Sequence, residues 1–421
     1  MTFNKKSVAI VGAGPAGCMC AYFALLNDKV SDVTLFDFKT PLHTLLPTGG
    51  GRCNLAYSEY DFRELAKFYP RGEKFLYSVF SKFSTAETLD FLEQIGVETY
   101  VQEDLRIFPA SNSAKEVREK MLKAIYGCAF KKEKVLVINV EEKGFLLKTE
   151  LNNYHFDDVV IAVGGHAGFS LAKNLGHKII EPKPALTGLI SKENFRSIQG
   201  LSMKNIKAEI LFNNKKIPPV QDDVIFTHEG ISGTLAYKIS SICAREDYSR
   251  ENPLVIKLSL FCHAEFISAS NRLSLTDEIL KQVQDDKLSD TEFFQYMLNL
   301  NPKKDIKNLL GDLLPKSLAE YILGVNGVDL DLKCCNVNGK VRDLILKSMR
   351  EFDITVISPA KDGEVVTSGG VSLDEINPKT MRSKLVEGLY FCGEVIDVDG
   401  FCGGFNLQNC WSTAAICGLN I

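Results

Sequence analysis

The stretch VAIVGAGPAGCMCAYFALLNDKVSDVTLFDF, residues 8–38, decides how the whole chain is read. Val8-Ala9-Ile10-Val11 is a short apolar run of the kind a strand buried on both faces requires. Gly12-Ala13-Gly14-Pro15-Ala16-Gly17 follows at once, and CMCAYFALLN then reads as a helix with small residues on one side. Each glycine has a separate task. Gly12 makes the tight turn, Gly14 lets backbone approach a pyrophosphate, and Gly17 lets the helix lie close to the sheet. The helix start offers free N–H groups and the positive end of a dipole to the phosphates. A second strand, Val33-Thr34-Leu35-Phe36, ends at Asp37, twenty residues beyond Gly17. An acid there suits a ribose hydroxyl pair and repels a 2′-phosphate. Strand, loop, helix, strand and acid in that order predict a dinucleotide site. NAD and FAD share the fingerprint, so the loop does not choose between them.

Composition narrows the class. With 421 residues the chain is longer than one hydrophobic core usually supports, so two or three domains are expected. A net charge of −4 and the absence of Lys/Arg runs argue against a nucleic-acid partner. No run of eighteen apolar residues is present, so no membrane span is expected. MTFNKK leads directly into a strand with no apolar signal region, which predicts a cytoplasmic protein. The twelve cysteines are scattered with no CxxC pair, and Cys334 and Cys335 are adjacent. That pattern reads as small buried hydrophobes in a reducing compartment, with no metal site.

The far end of the chain selects the cofactor. Residues 389–418 read LYFCGEVIDVDGFCGGFNLQNCWSTAAICG. A strand ends at Gly393-Glu394, an acidic turn carries Asp397, and Gly403-Gly404-Phe405-Asn406-Leu407 opens a last helix. A second glycine-and-acid strand end, followed by a glycine-opened helix, suits a long cofactor with a second end to hold. FAD is such a cofactor, and a helix dipole aimed at its ring would stabilise the reduced, anionic form.

These stretches, together with TGGGRCNL (48–55), RIFPASNSAKEV (106–117), DDVVIAVGGHA (157–167) and FTHEGISG (226–233), resemble the bacterial HI0933-like flavoproteins. The likeness runs along nearly the whole chain in family order. It implies an α/β fold: an FAD-binding Rossmann-like domain formed by both chain ends, with an inserted β-barrel-like domain and a small helical domain. The expected boundaries are 1–187 and 359–421 for the FAD domain, 188–261 and 333–358 for the barrel, and 287–332 for the helical part. Two departures stand out. The chain is short after AVGGHAG, and Thr234 stands where relatives carry proline. Residues 262–286, CHAEFISASNRLSLTDEILKQVQDD, interrupt the family pattern and resemble a translated palindromic repeat, so we expect a surface insertion there.

Further candidates follow. In the triple-glycine loop, Gly50 and Gly51 would let backbone approach a ring or phosphate. Arg52 would pair with an anion, Asn54 would donate to a flavin edge, and Cys53 would contact the cofactor. The resemblance places Val137 against adenine and Ala162, Gly164 and Gly165 at a strand end beside the cofactor. His228 in FTHEGISG is the candidate acid–base group, because histidine titrates near neutrality. With Arg52 and Asn54 it makes up the expected catalytic set. No second GxGxxG follows a strand, so NAD(P)H is expected only as a transient visitor. The expected chemistry is NAD(P)H-linked reduction of a small organic substrate through flavin. The alternatives are an oxygen-dependent oxidase of a small amine, aminoacetone-like, and a degenerate flavin-binding protein.

Overall fold

The computed structural model describes residues 5–260, 289–360 and 366–421; the expected insertion at 262–286 lies outside them. The chain forms two compact units, Met1–Leu186 with Val365–Ile421, and Thr187–Glu364.

The first unit is built on a five-stranded parallel sheet in the order Leu389–Phe391, Asp158–Ile161, Lys6–Val11, Val30–Phe36, Ala129–Lys131. The first strand of the chain is therefore the middle of the sheet. Val8, Ala9 and Ile10 are fully buried, as the apolar run predicts. The registers Ile10↔Val160 and Ile10↔Leu35 bring the ends of three strands to one edge, where the 12–17 loop leaves the sheet. Helix Pro15–Leu25 starts with proline in its first turn, where the missing N–H has no helical partner to lose. It packs along the last helix, Phe405–Asn420, and Gly418 permits the approach: a Cβ there would lie 2.6 Å from the Cys20 carbonyl oxygen. Trp411 of the last helix is buried and donates its indole N–H to Leu55 O at 2.9 Å. Both chain ends thus build one core, as expected.

The second unit is a closed six-stranded barrel: Leu189–Ser191, Gly230–Ser232, Lys215–Thr227, Ser202–Phe212, Leu254–Ser259 and Phe352–Pro359. Buried and exposed residues alternate along the second half of Ser202–Phe212, the period-two signature of a wall with one inner face. Among the described residues five helices accompany the barrel: Asp290–Leu300, Ile306–Leu313, Lys316–Val325 and Gly339–Arg350, together with Gly233–Ile242, which directly follows the strand Gly230–Ser232. Ser289 and Glu292 form a reciprocal capping box at the start of the first. Within 333–358, expected to be barrel, Gly339–Arg350 is a helix and only the last strand re-enters the wall. The sequence LILKSM in that stretch supports either element locally. The buried face formed by Ile345, Leu346 and Met349 settles it as a helix. Thr234 donates its hydroxyl to the Asp222 carboxylate, so this turn has a side-chain tie of its own. Among the described residues no helix is long and apolar enough to cross a membrane.

Candidate dinucleotide site

A cleft of about 290 Å³ opens at the strand edge of the first unit. Residues 11–16 form its floor. Asp37, Phe38 and Lys39 stand on one side, Glu133, Lys134 and Val135 at one end, and Glu394 and Cys410 at the other.

The three fingerprint glycines are required for different reasons. Gly12 has φ +108°, and a Cβ on it would lie 2.8 Å from the Ala162 carbonyl carbon and oxygen. A Cβ on Gly17 would lie 1.8 Å from Gly12 O, where the helix crosses the strand end. Protein packing alone excludes side chains at both positions. Gly14 is different. Its φ is −75°, and the nearest atom to an added Cβ is Thr44 Oγ1 at 3.5 Å, an ordinary contact. Nothing in the protein forbids alanine there, so the space at Gly14 is kept for something that enters the cleft.

Asp37 is held in place by the same loop. Its Oδ2 accepts from the Ala13 N–H at 2.9 Å and its Oδ1 from the Lys39 N–H at 2.9 Å. Each oxygen keeps lone-pair capacity for a diol. Ala162, Val163 and Gly164 line the opposite wall, and Gly165, at φ +72°, caps helix His166–Asn174. Glu394 is open to the cleft but otherwise surrounded by protein. Burial raises its carboxyl above the ordinary 4.5. A Cβ on Gly393 would touch Ala16 Cβ at 2.6 Å, so the second glycine-and-acid turn sits directly on the start of the fingerprint helix.

The second glycine loop has its own geometry. Gly49, Gly50 and Gly51 have φ of +57°, +68° and +87°, and Cys53 has +66°. A Cβ on Gly50 would meet nothing within 4 Å. The Arg52 guanidinium lies over the Phe108 ring, 4.2 Å from its centre. Oriented to satisfy both neighbours, the Asn54 amide donates to Ala56 O at 3.2 Å and accepts from Gly404 N–H at 3.1 Å. It ties this loop to the start of the last helix. Asn406 closes the turn before that helix, accepting from Gly400 N–H and donating to Gly400 O, both at 2.9 Å. Under the turn, Asp399 is fully buried in a forked ion pair with Arg71, a residue the sequence alone does not single out.

A model of the HI0933-like protein Rossmann domain matches residues 6–420. The chain belongs to the HI0933-like family. It is an FAD-dependent oxidoreductase, and the cleft fits that cofactor: the cradle at Gly14 is open, the acid for the ribose is anchored, and both chain ends supply walls. Three curated relatives align over nearly their full length. The 3-dehydro-bile acid delta(4,6)-reductase of Clostridium scindens is 24% identical over 98% of each chain. The ribosomal RNA dihydrouridine synthase of Escherichia coli is 26% identical over 99% of this chain and 98% of its own. That of Haemophilus influenzae is 27% identical over 98% and 97%.

Not every expected residue of this HI0933-like chain reaches the cleft. Gly12, Gly14, Pro15, Ala16, Asp37, Ala162, Gly164 and Glu394 line it, while Gly17 and Gly393 shape it from behind. Val137 does not reach it: the wall residue is Val135 of the same strand. An irregularity between Val135 and Val137 breaks the alternation, leaving Val137 exposed and Ile138 buried. One N–H and one lone pair of the Asn54 amide are engaged by Ala56 and Gly404, which leaves its second N–H for another acceptor. Phe405 belongs to the core, stacked on Phe68 with ring centres 4.5 Å apart. Cys53 is fully buried, and burial pushes its thiol up to about 12, against a smaller pull from Thr48, so it stays a protonated, inert thiol at neutral pH. Gly50, Gly51, Arg52, Asp397, Gly403 and Leu407 lie outside the cleft lining. His228 is on the exposed turn between two barrel strands, its Nε2 3.6 Å from Glu229. Phe38, Lys39, Thr44 and Glu133 are cleft residues that no motif marks.

Proposed function

We propose that this enzyme reduces a carbon–carbon double bond conjugated to a carbonyl, with NADH or NADPH as the electron donor. The carrying observation is the Gly14–Asp37–Glu394 cleft, a dinucleotide cradle with acids at the ribose position and at the inner end. The activities of the relatives support the substrate class. A 3-dehydro, delta(4,6) steroid skeleton and the uracil ring both present an alkene in conjugation with a carbonyl, and saturation of that alkene is common to both names. FAD, when bound, supplies hydride transfer. The chain's own part is to hold the ribose through Asp37 and to admit the pyrophosphate beside Gly14. The helix start at Pro15 presents its dipole to the phosphates.

Anaerobic titration with NADH and then NADPH tests the donor: bleaching of the flavin band by either is the expected result. Rapid recovery of the band on adding a cyclic enone completes the reductase cycle. Peroxide release from aminoacetone with no response to either nicotinamide would replace this reading with the amine-oxidase one. A specific second reading comes from the two synthases: the acceptor is a uridine of ribosomal RNA. The net charge of −4 weighs against it. Nucleoside mass spectrometry of ribosomal RNA treated with enzyme and NAD(P)H decides between the two, since only an RNA substrate gives dihydrouridine.

A further inference from the structure

Cys20, Cys392 and Cys417 are far apart in sequence, yet their Sγ atoms all lie within 4.8 Å of one another. Cys20 comes from the fingerprint helix, Cys392 from the end of an edge strand, and Cys417 from the last helix. All three are fully buried. The close crossing of the two helices at Gly418, where a Cβ would lie 2.6 Å from the Cys20 carbonyl oxygen, brings Cys20 and Cys417 together.

We propose that this triad is a metal site for a soft monovalent ion of the copper(I) type, held by three sulfurs and no other donor. Thiolate sulfur selects copper(I), zinc and iron–sulfur clusters. Structural zinc is almost always four-coordinate. Among the described residues no fourth histidine, cysteine or carboxylate joins the group, and full burial leaves no place for a water ligand. Iron–sulfur clusters are held by four cysteines. Three-coordinate copper(I) has neither requirement. The ion would pin together the fingerprint helix, the edge-strand end and the last helix, and so the two chain ends that form the dinucleotide unit. Because the triad is closed to solvent, loading accompanies folding.

The test is metal analysis of the FAD-loaded enzyme, purified anaerobically from copper-supplemented cells and washed with bicinchoninate. One copper per chain is expected. Cys20→Ala, Cys392→Ala and Cys417→Ala should each lose it, while Cys335→Ser, at an exposed thiol outside the triad, and Cys243→Ala, in the barrel unit, should keep it. Copper retained by the triad variants, or wild type with no more copper than they have, would overturn the proposal. Should a triad variant fail to fold, X-ray absorption at the copper edge of the wild type carries the test. Three sulfur neighbours support the site, and nitrogen or oxygen neighbours refute it.

Discussion

The loops at 12–17 and 49–54 are both rich in glycine, and their glycines answer to different forces. In the first, two of three glycines are imposed by backbone packed against them: Gly12 by Ala162 and Gly17 by Gly12 itself. Only Gly14 is left without a protein reason. In the second, the three glycines are imposed by conformation, since all lie in the left-handed region and only Gly49 is crowded, with Asn54 N 2.8 Å from an added Cβ. The comparison separates glycine that makes a fold from glycine that makes room.

Substitutions can break or sharpen that distinction. The largest effect is expected at Gly17→Ala, where a Cβ 1.8 Å from a carbonyl oxygen cannot be absorbed without moving strand or helix. Overpacking of this kind costs about 3 kcal/mol or more, read as lost cooperative melting and lost FAD. Gly14→Ala should do the opposite. Stability should hold or rise by roughly 0.4–1 kcal/mol, while FAD affinity falls at least about tenfold. An alanine variant that binds FAD as the wild type does would remove the cradle at Gly14.

Gly50→Ala should cost about 1–2 kcal/mol from left-handed backbone alone, with no steric part. Gly49→Ala should cost more, and urea midpoints rank the two. Glu394→Gln probes the inner wall. A carboxyl whose folded pKa is raised binds more protons folded than unfolded, so it lowers stability as pH rises from 4.5 through the folded value. The melting point of the glutamine variant should match wild type near pH 4 and exceed it progressively toward pH 7. The smallest effect is expected from thiol labelling. At pH 8, iodoacetamide should modify exposed Cys335 and leave Cys53 untouched in the native protein.

How much was legible depends on how local the cause is. The spacing Gly12, Gly14, Gly17 and Asp37 is fixed by one strand–helix–strand crossing within about thirty residues, a geometry that chain length alone dictates. The resemblance points to Val137, while the structure turns Val135 toward the cleft, because an irregularity between the two shifts the face of the strand, which a family pattern does not register. The tie from Asn54 to Gly404 is invisible in the sequence because the two stand some 350 residues apart. Arg71 carries no motif, and its ion pair with Asp399 is visible only once the fold joins two positions far apart in sequence.

Cysteine shows the limit most plainly. From sequence alone, twelve scattered thiols with no paired spacing are small apolar fillers, and most of them are. The order of residues determined the strand, the turn and the acid, because those follow from short-range sterics and the reach of one helix. Only the tertiary fold could decide which thiols meet, which glycine is free of its neighbours and which polar groups are already taken, because these depend on contacts between elements that the chain brings together from its two ends.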